Sequence, residues 1–191
     1  MSAQKTSADD LVRCEWPGLA GNELYQNYHD FEWGRPVSGE AKLFERLSLE
    51  AFQSGLSWLT ILRKREAFRA AFAEFEPARV ALFDASDVER LMNDGGIVRN
   101  SLKINATITN AQAMVNLPTG VTLGSLLEEH RPAPRASGTP VPASTPESVA
   151  LAKALKKHGF RFVGPTTGYA MMQAIGLVND HQADCWVRAE I

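Results

Sequence analysis

Apolar residues recur at helical spacing along most of this chain, between residues that commonly start and stop helices. In the segment SGEAKLFERLSLEAFQSG, residues 38–55, one side carries Leu43, Phe44, Leu47, Ala51 and Ser54, and a glycine follows as a stop. Alternating runs of β-branched residues, which would indicate strands, are missing, and FRFVG at 160–164 is too short to anchor a sheet. The pattern predicts an all-α fold.

Cap signals place the ends of two further helices. The segment DASDVERLMNDGG, residues 84–96, resembles a capping box with Ser86 at the cap and Glu89 three residues later, and it closes on Gly95. The segment TPESVALAKALKKHG, residues 145–159, has Thr145 as the cap, Pro146 in the first turn and a glycine after the last turn. We also expect helices at about 58–75, 101–116, 122–130 and 165–178.

Half of the ten prolines lie between Pro132 and Pro146. A stretch this rich in proline packs little and donates few backbone hydrogen bonds, so residues 131–146 are expected to form a loop. The chain after this loop supplies only two helices, which is too little for an independent domain. We therefore expect residues 1–191 to form a single domain, with residues 1–11 flexible.

Composition excludes few function classes. The formal net charge is −2, which gives no reason by itself to expect a polyanion as partner, although one basic face is compatible with it. The start of the chain has no apolar core of the kind a secretion signal needs, and no run approaches the roughly 18 to 20 apolar residues of a membrane helix. We expect a cytoplasmic monomer that does not bind membranes, in which two cysteines are thiols or metal ligands.

A histidine and a cysteine stand four residues apart near the end of the chain, at His181 and Cys185. If this segment is helical, both side chains project from one face and can hold one metal ion. Two ligands are not a site, and the other candidates are Cys14 and three histidines, His29 among them. Spacing alone leaves open both a zinc site and two unrelated buried thiols.

Glu50 lies on the apolar side of its predicted helix, three residues after Leu47. A carboxylate there must be paired, hydrogen-bonded or functional, and a purely structural acid is one of the two interpretations. Gln53 and Ser54 follow on nearby faces and favour a polar pocket. A flat, electron-rich pocket with a carboxylate would suit a planar cation. The aromatic residues near these positions in the sequence are Trp16, Tyr25, Tyr28, Trp33 and Trp58.

The segment NDGGIVRNSLK, residues 93–103, joins two predicted helices through Gly95 and Gly96. Backbone amides at a helix start, next to Arg99 and Lys103, are able to hold a phosphate, although most glycine pairs between helices are only turns. Basic clusters at 63–69 and 153–161 offer further contacts for phosphates, or are solvated helix faces.

Together these segments resemble the 3-methyladenine DNA glycosylase I family. The similarity runs in order from about residue 12 to residue 186. It rests on CEWPG at Cys14, YHDFEWG at 28–34, LEAFQSGLSWLTILRKREAFRAAF at 49–72, FRFVGPTTGYAMMQAIGLVNDH at 160–181 and the closing His-x3-Cys.

The resemblance implies an all-α, helix-hairpin-helix DNA glycosylase fold. Its zinc clip would join the N-terminal and C-terminal segments through Cys14, His29, His181 and Cys185. Glu50 would recognise the base, and the remaining pocket residues would be Tyr28 and Trp58, which stack on the base, with Trp16, Tyr25 and Gln53.

The implied activity is the hydrolysis of the N-glycosidic bond of an alkylated adenine, 3-methyladenine, flipped out of duplex DNA. Leu56, after Gly55, would fill the gap left by the flipped base, and the hairpin with Gly95, Gly96, Arg99 and Lys103 would contact backbone phosphates. The hairpin departs from the common superfamily form, and no residue matches the superfamily's catalytic Asp. We expect a monofunctional hydrolase without strand cleavage. The alternatives are a DNA-binding module without chemistry, an enzyme acting on free purines, and a structural metal-stapled protein.

Overall fold

The computed structural model describes residues 11–191, so the expectation of flexibility at residues 1–11 lies almost wholly outside the described residues. The described chain contains helices and no strand, which confirms the all-α fold. No helix in this part of the chain is long and apolar enough to cross a membrane. The α-helices are α1 Glu23–Phe31, α2 Glu40–Gln53, α3 Trp58–Ala71, α4 Pro77–Val80, α5 Ala85–Asn93, α6 Ser101–Val115, α7 Leu123–Glu129, α8 Pro146–Lys157 and α9 Pro165–Ala174.

Most helix starts have the side-chain caps that satisfy free backbone N–H groups. Thr145 caps α8 with Ser148 as its partner in a capping box, as the sequence predicted for the cap. The predicted cap of α5 was wrong by two residues. Asp84, rather than Ser86, accepts hydrogen bonds from the backbone of Ser86 and Asp87, at 2.8 and 3.3 Å. The carboxylate of Asp84 also interacts favourably with the positive end of the helix dipole.

Two predicted helices end earlier than expected. The helix predicted over 58–75 ends at Ala71, and the next residues turn left-handed, with φ of 53°, 58° and 53° at Ala73, Glu74 and Phe75. This turn is strained, but it places the ring of Phe75 fully inside the core, stacked on Phe72 at 5.5 Å between ring centroids. Core packing therefore outweighs helix propensity here.

The helix predicted over 165–178 ends at Ala174, and Gly176 follows with a φ of 73°. A Cβ atom on Gly176 would lie 2.6 Å from the carbonyl oxygen of Gly34, so only glycine allows the two backbones to meet. The contact brings the segment after α9 against the segment after α1. Helices α1 and α4 were absent from the list of predicted helices, and residues 131–145 form no helix or strand.

Helix α2 lies at the centre of the fold and packs against α3, α6, α7 and α9. Every residue from Leu43 to Phe52 is buried, on all faces of the helix. The main hydrophobic core surrounds it and includes the fully buried side chains of Phe44, Leu47 and Phe52. A polar residue on α2 therefore lies inside the protein whichever face it occupies.

Glu40, in the first turn of α2, also caps another helix. Its carboxylate accepts hydrogen bonds from the backbone N–H groups of Leu123 and Gly124, at 2.8 and 2.9 Å, at the start of α7. A carboxylate at this end of a helix satisfies free donors and interacts with the helix dipole. It joins two helices that are far apart in sequence.

We expect Glu40→Ala to lower the free energy of unfolding by about 1–2 kcal/mol, because it removes this charged cap from a short helix. Glu23→Ala is the matched control, since Glu23 is also an acid in the first turn of a helix, α1, but is exposed. Urea unfolding followed by circular dichroism measures both. Equal losses in the two variants would show that the cap contributes nothing beyond an exposed acid.

Candidate active site and metal centre

Four buried side chains from the two ends of the described chain meet at one point. Cys14 precedes α1, His29 lies on α1, and His181 and Cys185 lie in the segment after α9. Their ligand atoms lie within 4.8 Å of one another. Sγ of Cys14 and Sγ of Cys185 each lie 3.5 Å from Nδ1 of His181. A tetrahedral zinc ion would separate a sulfur and a nitrogen ligand by about 3.6 Å, so the cluster has the dimensions of a metal site.

The hydrogen bonds of the two histidines turn one nitrogen of each towards the cysteines, where Nε2 of His29 accepts only a long hydrogen bond, 3.4 Å, from the backbone N–H of Cys14. His29 donates from Nδ1 to Asp30 Oδ1 at 2.8 Å, and Arg13 holds the same carboxylate from Nε and Nη2, at 3.0 and 2.8 Å. His181 donates from Nε2 to the carbonyl oxygen of Trp33 at 3.3 Å. Each imidazole therefore turns its unprotonated nitrogen towards the cysteines, as metal-binding histidines with an outer hydrogen bond do.

Burial disfavours charge on these groups. It raises the pKa of the Cys14 thiol to about 12, with a further contribution from Cys185, and lowers the pKa of His181 to about 4. Two thiolates this close would repel each other in a site without a cation. A bound divalent cation reverses that balance, because it stabilises thiolates directly and binds neutral imidazoles. The cluster can therefore hold one metal ion.

The local structure at the end of the chain differs from the one assumed for the spacing argument. Residues 181–185 are not helical, and the backbone N–H of Cys185 donates to the carbonyl of Gln182 at 3.1 Å in a turn. The turn still directs both side chains to the cluster. The other candidates lie elsewhere: His130 contacts its own helix at the carbonyl of Leu126, and His158 caps the end of α8.

A pocket of about 510 Å³ lies beside the cluster. Two of its tryptophans contact the histidines directly, with ring centroids 4.9 Å apart for Trp16 and His29, and 4.6 Å for Trp33 and His181. The cluster therefore supports part of the pocket wall. The pocket brings together all six residues that the sequence placed there, and these are Trp16, Tyr25, Tyr28, Glu50, Gln53 and Trp58.

Glu50 is buried in this pocket without a partner. Its carboxyl group makes no hydrogen bond and no salt bridge with any residue that the structure describes, so the interpretation as a structural acid finds no support in the geometry. Burial raises the pKa of Glu50 to about 7, against a smaller opposite effect of Arg46 one turn earlier on α2. The carboxyl group is therefore close to half ionised at neutral pH and free to bind a ligand.

The aromatic wall next to Glu50 has polar edges as well as flat faces. The rings of Tyr28 and Trp58 lie 5.1 Å apart between centroids at an angle of 41°. Nε1 of Trp58 is buried and has no hydrogen-bond partner among the described residues. Behind Tyr28, the guanidinium of Arg46 lies 5.6 Å from the ring centroid and donates to Glu32. The pocket can therefore stack on a flat ring and bind its edge.

The opposite wall contains residues that the sequence did not single out. Asp180 lies there with Gln173 of α9, and their side chains are joined by a hydrogen bond of 2.9 Å. Asp180 also accepts from Tyr169 at 2.6 Å and pairs with Arg135 of the proline-rich loop. One indication in the sequence that Asp180 lies near the site is that it directly precedes His181, a candidate metal ligand.

The end of α2 leads from the pocket to the protein surface. Gly55 has a φ of 82°, and the side chain of Leu56 is 38% exposed. Nε2 of Gln53 donates to the carbonyl oxygen of Leu56 at 2.9 Å, so a side chain of the pocket holds this surface loop. An exposed leucine directly beside a pocket is available for contact with a large partner.

The segment between α5 and α6 leaves only some of the groups that the sequence predicted for a phosphate contact exposed to solvent. Arg99 and Gly95 are exposed, but the N–H of Gly96 donates to the side chain of Asp94 at 2.7 Å. Lys103 is buried, and its Nζ donates to the carbonyls of Phe52 and Ser54 at 2.9 and 2.6 Å, at the end of α2. Its ammonium group is therefore occupied by backbone carbonyls, a frequent arrangement at a helix C-terminus, and is not free for a phosphate.

Comparisons with known proteins, by family model, by sequence and by structure, all point to methyladenine glycosylases. A family model described as methyladenine glycosylase matches residues 16–189. DNA-3-methyladenine glycosylase 1 of Escherichia coli K12 is 46% identical over 181 residues, covering 92% of this chain and 96% of that protein. A crystal structure of 3-methyladenine DNA glycosylase I has a TM-score of 0.86 at 45% identity, covering 92% of this chain and 98% of that one. A variant of 3-methyladenine DNA glycosylase I in complex with 3-methyladenine has a TM-score of 0.83 at 34% identity, covering 88% and 94%.

We expect the purified protein to hold about one divalent metal ion per chain, because four suitable ligands stand at tetrahedral spacing. His181→Ala should lose most of the metal and unfold at lower temperature, since the ion's binding energy contributes to folding. His158→Ala, a histidine outside the cluster, should keep it. Emission spectrometry after purification without chelators measures the content. A wild-type protein with almost no metal would contradict the assignment.

Glu50 should lower the free energy of unfolding as the pH rises, whereas an acid whose pKa is lowered by folding raises it. Its pKa is raised from 4.5 to about 7 in the folded state, so its contribution is fully present below about pH 4.5 and is lost as the pH rises through 7. Relative to Glu50→Gln, the wild type should lose roughly 3 kcal/mol across this range. Urea unfolding of both proteins at several pH values measures the difference. A difference that does not change with pH would show that Glu50 is not buried as described.

Proposed function

Because the chain belongs to the methyladenine glycosylase family, as its motifs predicted, we propose that it excises 3-methyladenine from duplex DNA by hydrolysing the N-glycosidic bond. It is thus a hydrolase of the DNA-3-methyladenine glycosylase class, acting in base excision repair. The observation that carries the proposal is Glu50, a buried carboxyl group without a partner in an aromatic pocket. The remaining steps follow from the chemistry of this base.

A 3-methylated adenine in DNA is cationic, and the site is suited to a flat cation. Stacking between aromatic rings and a positive charge is favourable, and Tyr28 and Trp58 supply two such rings. The cation also favours the ionised form of Glu50, so binding converts a costly buried acid into a charged hydrogen-bond acceptor. Glu50 would accept from the edge of the base, and the two groups would neutralise each other.

The charge of the base also explains why little further catalysis is needed. A cationic base leaves the sugar without prior protonation, so the barrier that the enzyme must lower is smaller than for a normal base. Water then attacks the sugar. The described residues that line the pocket include no lysine, so none of them offers an amine for a covalent intermediate with the sugar. We therefore propose a monofunctional hydrolase.

The enzyme can reach the base only after the base has left the DNA double helix, since its reacting atoms are covered inside a duplex. Leu56 would enter the gap left by the base, and its exposure on the loop between the pocket and solvent supports this role. Gly55 allows the turn at this loop. The exposed Arg99 and the N-terminus of α6 would contact phosphates, whereas Lys103 would support the helix end that carries Glu50.

We propose zinc as the metal held by Cys14, His29, His181 and Cys185. Two thiolates and two imidazoles in a closed tetrahedral set are typical of a structural zinc ion, with no position left for water or substrate. The ion would supply binding energy that joins the chain ends. It would take no part in the chemistry of the base.

Release of bases from methylated duplex DNA tests this function. We expect the wild type to release 3-methyladenine and not 7-methylguanine, as measured by chromatography of the released bases. Glu50→Gln should reduce the rate about 10-fold to 100-fold, because a charge-assisted hydrogen bond to the cationic base is lost. Glu129→Gln, an exposed acid on α7, is the matched control and should leave the rate unchanged.

Two further results separate the alternatives. Leu56→Ala should lower release from duplex DNA without weakening the binding of free 3-methyladenine, because only the DNA contact is changed. A wild type that binds the free base but releases none from DNA would be a binding protein, and the hydrolase proposal would be wrong. Full activity in Glu50→Gln would overturn the role of Glu50.

A further inference from the structure

One side chain of the proline-rich loop, Val141, reaches the pocket described above. We propose that Val141 is a base-binding residue, and that the ion pair of Arg135 with Asp180 is a positioning device that holds it against the bound purine. This inference rests on the proposed function and deepens it, since it adds a residue of the proline-rich loop to the base pocket. No motif discussed above assigns a function to this loop.

Arg135 fixes the loop through both of its terminal nitrogens. Nη1 pairs with Asp180 and donates to the hydroxyl of Tyr169 at 3.1 Å. Nη2 donates to the hydroxyl of Thr139 at 3.1 Å and to the carbonyl of Pro140 at 2.6 Å. Thr139 and Pro140 directly precede Val141. The guanidinium therefore connects the pocket wall to the backbone next to Val141.

The other half of the ion pair is held firmly. The carboxylate of Asp180 is buried and accepts from Tyr169 and Gln173, both on α9, in addition to Arg135. Asp180 also precedes His181 of the metal cluster in the chain. A buried charge with this many partners is expensive to separate, so the loop remains attached to the rigid part of the protein.

The sequence around Val141 stiffens the loop at this point. Val141 stands between Pro140 and Pro142. Proline fixes its own φ, and it also restricts the residue before it to extended conformations, so Val141 has little backbone freedom to lose. A preordered apolar contact costs less entropy on binding than a mobile one. The two prolines thus hold Val141 in one backbone conformation before a ligand binds.

The exposure of Val141 is consistent with a contact that awaits a ligand. Its side chain is 53% exposed although it lines the pocket, and it faces a space bounded elsewhere by Glu50 and aromatic rings. A purine bound there would remove part of this apolar surface from water, which is favourable. Val149, on α8, is 49% exposed and does not line this pocket. The two valines form a matched pair for a test.

The test measures the Kd of free 3-methyladenine by tryptophan fluorescence, with thermal unfolding recorded for each variant. We expect Val141→Ala to raise the Kd about 3-fold to 10-fold without a change in Tm, through the loss of two methyl groups from the contact. Val149→Ala should bind as the wild type does. Arg135→Ala should raise the Kd similarly, and Arg131→Ala, at the start of the loop, should not.

The double variant tests whether Arg135 acts through Val141. If it does, Arg135→Ala combined with Val141→Ala should bind no more weakly than either single variant. Additive losses would show that Arg135 is merely structural and would overturn its positioning role. Should Arg135→Ala fail to fold, Val141→Ala still decides the contact.

The outcomes separate this inference from the proposed function. A wild type that excises and binds 3-methyladenine, with an unchanged Kd in Val141→Ala, would overturn the inference alone. A Val141→Ala protein that loses excision from DNA but binds the free base normally would place Val141 against DNA instead of the base. A wild type that neither binds nor excises the base would overturn both.

Discussion

The meeting of the two chain ends at Cys14, His29, His181 and Cys185 is the contact on which the rest of the site depends. Among the described residues, few apolar side chains surround this meeting point: the cluster around the two cysteines adds only Val187 and two partly buried tryptophans. Four buried polar side chains would not hold such segments together by themselves, since each costs desolvation. The zinc ion that we propose would supply this attraction, and its binding energy would become part of the folding energy. The metal cluster would then support Trp16 and Trp33, which contact its two histidines and form part of the pocket wall.

The pocket also contains Glu50, a carboxyl group whose burial makes the fold less stable. Glu50 lies on a helix that is buried on all faces, and burial raises its pKa to about 7. Burying an unpaired acid reduces stability, so the presence of Glu50 here is better explained by function than by the fold. Under the proposed function, a cationic base would be the partner of this carboxyl group. The same residue that weakens the free enzyme can thus strengthen the complex.

Local patterns in the sequence predicted the helical class and several helix ends, because caps such as Thr145 act within a few residues. The six pocket residues were expected mainly from the family resemblance, and only Glu50 and Gln53 stood out by their places on one predicted helix. The turn at Ala73–Phe75 could not be predicted, because it is imposed by the burial of Phe75 against distant rings. Asp180 and Val141 were missed for a similar reason. Their positions are set by contacts with Arg135 and α9 that no local pattern encodes.

Lys103 shows how a wrong prediction changes the picture of the enzyme. It was expected to contact phosphate, but its ammonium binds the carbonyls of Phe52 and Ser54, where the dipole of α2 is negative. These residues stand on either side of Gln53, which in turn holds Leu56. One buried cation therefore ties the first turn of α6, next to the proposed phosphate contacts, to the helix that carries Glu50. A duplex held at this hairpin would be held at a fixed distance from the pocket, which is the geometric condition for a flipped base to reach it.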